Sequence, residues 1–118
     1  FFPNPEKADL GDWALQINMY RFMLESTGKQ VDKMYVQMTV RDGGLIAARD
    51  RGVERNIYLV EVPYIHNDHL MDFFKEKRDR LIEALESNTM PNKCNDKETW
   101  DGIKCQRFCD VRHLCPWV

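Results

Sequence analysis

No apolar run in this 118-residue chain approaches the roughly 18 residues needed to span a bilayer, so no membrane-crossing helix is expected. Cysteine is missing before position 94, which argues against a secreted disulfide framework, where bridges are spread through the fold. Charge of neither sign dominates: 17 Lys and Arg stand against 19 Asp and Glu, a formal net charge of -2. Any case for nucleic-acid binding therefore rests on local basic segments. Internal repeats, low-complexity tracts and poly-charge tails are absent as well. The Phe1-Phe2-Pro3 start has neither an initiator Met nor a signal-peptide layout, which predicts a processed chain or a piece of a longer one.

What is present suffices for one domain, or part of one, with a core. Trp13, Ile17, Tyr20 and Leu24 recur at helical spacing, with Met19, Phe22 and Met23 widening the stripe, and predict a buried helix from about Asp12 to Glu25. Gly11-Asp12 supplies its N-cap and Thr27-Gly28 its stop. Met34, Val36, Met38 and Val40 then alternate with Tyr35, Gln37, Thr39 and Arg41, the pattern of a half-buried strand. Asp42-Gly43-Gly44 marks a turn, and a basic loop leads into a second strand, Ile57 to Tyr64. A second helix is expected from Asn67, as N-cap, to about Ser87, burying Leu70, Phe74, Leu81 and Leu85 while Lys75, Lys77, Arg78 and Arg80 face water. Asn88 to Pro91 ends it. The fold class is α/β, with residues 1–88 as a core and 89–118 as a Cys-rich extension.

That extension is polar, poor in aliphatic residues and unable to build a core, so it requires a cross-link or metal. Cys94, Cys105, Cys109 and Cys115 all lie there, the last three as Cys-x3-Cys-x5-Cys. Four soft ligands suit an iron-sulfur cluster or tetrahedral zinc, with disulfides or free thiols as the other options. His113 could replace one sulfur or be a surface histidine, and Trp100 and Trp117 could shield a centre or simply pack the tail. His66 and His69 read as surface residues at a helix start. The crowded thiols imply a reducing, cytoplasmic setting.

Two further patterns carry chemistry. Gln16 and Tyr20, four residues apart on a helix, share one face where an amide and a phenol reach the same cleft; otherwise Tyr20 is a core aromatic and Gln16 a surface residue. Arg41, Arg49, Arg51 and Arg55 can deliver guanidinium groups to a phosphate backbone from a flexible hairpin; otherwise they are solvated and pair locally with Asp42, Asp50 and Glu54.

The order of parts, with Gln16-x3-Tyr20, Tyr35-Val36-Gln37 leading to Val40-Arg41-Asp42-Gly43-Gly44, and Lys104-Cys105-Gln106-Arg107-Phe108-Cys109 before Cys115, resembles the C-terminal half of a PD-(D/E)XK nuclease. The similarity is to the RecB-like exonuclease group, including CRISPR-associated nucleases with an iron-sulfur cluster. It implies a restriction-endonuclease-like mixed sheet flanked by helices, with DNA as partner. Gln16 and Tyr20 become active-site support, Arg41, Arg49 and Arg51 contact phosphates, and Cys94, Cys105, Cys109 and Cys115 hold a [4Fe-4S] cluster, with zinc as the alternative. The full-length active site takes Mg²⁺ or Mn²⁺.

Two departures stand beside the resemblance. The family spaces its last cysteines Cys-x2-Cys-x5-6-Cys and draws its fourth ligand from far upstream, a role that Cys94 would fill here. None of the eight lysines has Asp or Glu two positions before it, so the acidic-x-Lys strand is absent and this chain alone is expected to be inactive. A non-catalytic, metal-stabilised module that binds nucleic acid or protein is the alternative, and a decayed phage or plasmid nuclease kept for assembly is a third option. An isolated half of such a domain exposes a sheet edge and an apolar face, which implies self-association or covering by a missing N-terminal half.

Overall fold

The computed structural model describes residues 8–118; the Phe1-Phe2-Pro3 start lies outside them. In chain order the elements are α1 (Gly11–Ser26), β1 (Tyr35–Thr39), α2 (Ile46–Arg49), β2 (Ile57–Glu61), α3 (Asn67–Ser87), α4 (Asp96–Thr99) and α5 (Ile103–Arg107), followed by a 3-10 turn at Arg112–Leu114. The chain divides into two compact units inside α3, the first ending at Lys75 and the second being Glu76–Val118. No helix among the described residues is long and apolar enough to cross a membrane.

In the first unit, β1 and β2 pair antiparallel with Val36 opposite Val60 and Met38 opposite Tyr58 on one face. Tyr35, Gln37 and Thr39 lie opposite Glu61, Leu59 and Ile57 on the other. The expected alternation is present: Met34, Val36, Met38 and Val40 are partly covered while the residues between them are exposed. Each strand is shorter than expected because Pro63 cannot donate to a ladder and Val40 has turned to meet the Asn56 carbonyl at 2.7 Å. Both outer edges of this hairpin are open among the described residues, and it alone represents the larger mixed sheet that the resemblance implies.

Helix α1 has the expected extent but buries a different face. Trp13, Tyr20 and Leu24 are 52%, 53% and 45% exposed, whereas Ala14, Asn18 and Arg21 are buried. At 3.6 residues per turn the buried stripe lies roughly 110° round the helix from the apolar one. The cause is what packs there: the 63–67 connector offers backbone amides and carbonyls, so polar side chains meet it. Asn18 Nδ2 donates to the Ala14 and Pro63 carbonyls at 2.8 and 3.0 Å, and its Oδ1 accepts the Ile65 N–H at 2.9 Å.

Arg21 completes the clasp. Its Nη1 donates to Glu25 at 2.7 Å, and its Nη2 donates to the Ile65 carbonyl at 2.9 Å and Asn67 Oδ1 at 2.8 Å. The guanidinium also lies 4.2 Å from the centre of the Tyr64 ring, so a side chain only 2% exposed has every face occupied.

The helix ends also differ in detail. Asp12 sits inside the first turn of α1 rather than capping it, and the Asp9 carboxylate accepts the Gly11 N–H instead at 2.9 Å. Gly28, at φ +86°, closes the other end as expected, its N–H reaching the Glu25 carbonyl at 3.0 Å. Helix α3 has the expected bounds, yet Asn67 is its first residue and gives its side-chain oxygen to Arg21. Leu70 is fully buried and Phe74 partly so, while Leu81 and Leu85 are exposed, against expectation. Among the described residues, no apolar side chain of the second unit is buried; only Thr99 is. Leu81 and Leu85 therefore have no core of their own unit to enter.

Replacing Arg21 by Ala strands Glu25, Asn67, Asn18 and the Ile65 carbonyl, and is expected to cost about 3–5 kcal/mol in urea denaturation. Arg21→Lys should recover only part of this, since an ammonium lacks the planar fork. A loss below about 1 kcal/mol for Arg21→Ala would mean that the clasp is not what attaches α1.

Candidate functional site

The segment expected to be a flexible basic loop is an ordered cap on the hairpin. Val53 is fully buried beneath it and packs with Ala48 and Tyr58, and Met38, Val40 and Val60 close around this cluster. The Tyr58 hydroxyl accepts the N–H groups of Glu54 and Arg55 at 2.8 and 3.1 Å, satisfying the backbone that crosses the core. Gly44 N–H reaches the Val53 carbonyl at 3.1 Å, and Val53 N–H reaches that of Ala48 at 2.9 Å. A Cβ on Gly43 would lie 2.0 Å from the Arg55 carbonyl oxygen. The close approach that this glycine permits is thus internal, backbone against backbone, and leaves no glycine loop free to drape over a polyanion.

The cap gathers the arginines on one end of the hairpin. Arg41 follows β1, Arg49 ends α2, Arg51 lies in the next turn, and all three are exposed. Arg55 stacks over the Tyr58 ring at 4.9 Å. Beside them stand Leu45 and Ile46, 61% and 81% exposed, which the sequence reading did not single out. On α1, Gln16 Nε2 donates to the Tyr20 hydroxyl at 2.7 Å, and both side chains face solvent rather than the clasp. The helical spacing brings these two together as expected.

The cysteines are placed differently. All four are free thiols: Cys94 is exposed in the link before α4, Cys105 lies on α5, and Cys109 and Cys115 flank the 3-10 turn, half-covered. Among the described residues, no group of three or more His, Cys, Asp or Glu side chains is arranged to hold a metal ion. As placed, the sulfurs do not fit a cluster or a zinc ion, because short helices joined by left-handed turns send neighbouring side chains in different directions. Trp100 sits at φ 51°, Asp101 at φ 53° and Gly102 at φ 89°, and the Trp100 and Phe108 rings meet at 5.8 Å. Trp100 and Trp117 remain about half exposed and His113 is exposed.

Polar contacts hold this second unit. Asn95 and Glu98 form a reciprocal capping box at 2.9 Å each way, and Lys77 of α3 donates to Glu98 at 2.7 Å. The Lys77 hydrogen bond, then the Asn95 amide, hold the Glu98 carboxyl below its ordinary value. A shallow groove of about 470 Å³ along α3, lined by Asp79, Ile82, Glu83, Glu86 and Ser87, carries too much negative charge to attract phosphate. No protein-family model, curated protein or solved structure matches the chain.

Gly43→Ala is expected to cost about 2 kcal/mol or more in thermal unfolding and to loosen the cap, because backbone must move on both sides of the contact. For Glu98 the folded carboxyl is the stronger acid. Its contribution is therefore complete above the ordinary glutamate value and disappears as pH falls through the lowered one. Amide exchange across residues 95–99 should accelerate over that acid window, and Lys77→Met should move the Glu98 titration upward when followed by NMR.

Proposed function

We propose that the chain is the C-terminal part of a metal-dependent DNA exonuclease that hydrolyses phosphodiester bonds as a full-length protein. The observation that carries this reading is the Gln16–Tyr20 pair, joined at 2.7 Å on the solvent face of a helix whose other side is clasped. Such a pair adds little to stability, since both groups could hydrogen-bond to water instead. Its fixed orientation suits a group that positions DNA beside a scissile bond, where small misplacements are costly. The antiparallel hairpin that follows, capped by Arg41, Arg49 and Arg51, suits phosphate contact, and the order of these parts agrees with a restriction-endonuclease-like core.

In this reading Mg²⁺ or Mn²⁺ supplies the hydrolytic chemistry and is held by strands preceding Gln16, since the chain has no acidic-x-Lys sequence. Gln16 and Tyr20 orient substrate rather than move protons. Cys94, Cys105, Cys109 and Cys115 become ligands of a [4Fe-4S] cluster, or of zinc, only if the tail closes around it, which its dependence on surface polar contacts makes inexpensive. Reduced thiols place the protein in the cytoplasm. The exposed α1 stripe and open strand edges suit covering by the N-terminal half of the same protein or by a second copy. The same lack of an acidic-x-Lys strand favours the second reading, a non-catalytic, metal-stabilised module for nucleic acid or protein.

The discriminating assay uses full-length protein with single-stranded and duplex DNA ends and Mg²⁺ or Mn²⁺. Degradation is expected, with Gln16→Ala and Tyr20→Phe lowering the rate by up to about 100-fold while leaving circular dichroism unchanged. A well-folded full-length protein that binds DNA without degrading it would establish the second reading.

A further inference from the structure

The hairpin cap combines two features that a soluble surface has no reason to combine. It is rigid, and it bares two large aliphatic side chains at its tip. The rigidity comes from within: buried Val53, the twice-bonded Tyr58 hydroxyl and the Gly43 contact with Arg55 all lie on its inner side. Leu45 and Ile46 take no part in that core, being 61% and 81% exposed. Arg49 is three residues beyond Ile46 on α2 and so shares its side of the helix, and Arg41 stands at the entry to the same cap. Among the described residues neither of these two arginine side chains has a partner.

We infer that Leu45 and Ile46 are an apolar wedge for the stacked bases at the end of a DNA duplex, with Arg41 and Arg49 on the flanking phosphates. The inference rests on the DNA reading proposed above and deepens it by naming a duplex end as the substrate class. Two aliphatic side chains are far too small a patch for a stable protein interface, which needs about 800 Å² from each partner. One or two are what proteins insert between base steps to unstack and kink a duplex. A wedge must also be stiff, because a pliant loop would fold away rather than part a stack. Charge alone does not serve here: the segment 41–56 carries four arginines against Asp42, Asp50 and Glu54. Binding should therefore depend only modestly on salt, with the bases contributing the remainder.

The test uses full-length protein in chelator, to prevent hydrolysis, and short blunt duplexes carrying 2-aminopurine at the terminal or a central pair. Binding should raise the terminal probe's fluorescence several-fold and leave the central probe unchanged. Leu45→Ser with Ile46→Ser should abolish that rise and weaken duplex-end binding about tenfold, with an unaltered melting temperature because both side chains are exposed. Arg41→Gln and Arg49→Gln should each weaken binding to any DNA and lower the salt slope by about one. Undiminished duplex binding and fluorescence in the double serine variant would overturn the wedge and leave the DNA reading standing, as would a flat terminal signal in the wild type. Absence of binding to every DNA would overturn both.

Discussion

The first unit depends on one buried guanidinium. Arg21 and its neighbour Asn18 tie α1 to the connector that leaves β2 and to the first residue of α3. A single side chain thereby sets where a helix, a hairpin and a second helix meet. Hydrophobic contact could hold the same elements, but it is non-directional and tolerates sliding. Hydrogen bonds to the Pro63 and Ile65 carbonyls and to Asn67 define one register and one rotation of α1. That rotation leaves Gln16 and Tyr20 outward. Desolvating the charge is costly, and the return is orientation.

The hairpin repeats this logic with an apolar interior. Its strands are only five residues each, too few for a two-stranded ribbon to be stable alone in water. The cap adds a small core of its own around Val53 and uses the Tyr58 hydroxyl to satisfy two amides that the turn would otherwise leave unpaired. Order in the connecting segment thus supports the strands as much as the strands support it. The second unit does without either device and is held by a capping box and Lys77.

Periodicity in the sequence located the elements well: α3 spans Asn67 to Ser87 as its pattern implies, and β1 alternates as Met34 to Val40 require. The packing partner was not legible. Trp13, Tyr20 and Leu24 mark an apolar face, but burial of α1 is decided by backbone carbonyls more than 40 residues away, which no local pattern encodes. The signal was Arg21 itself, a lone cation within the apolar stretch from Met19 to Leu24. The cap was hidden for the opposite reason: charged residues surround Val53, so the segment reads as loop. Gln16 and Tyr20 were legible because helical spacing alone joins them, whereas cysteine spacing says nothing of side-chain direction once the helices are four and five residues long.

A unit without buried apolar side chains is also one in which length is weakly constrained. Adding a residue to a packed core shifts every side chain beyond it, but between Cys105 and Cys109 nothing interdigitated would be displaced. Insertions and deletions there meet little resistance from folding, so the intervals between the thiols can drift over generations faster than the sequence of the hairpin, where Gly43 cannot gain even a methyl group. The tail is the part of this protein in which evolution has the most room to experiment.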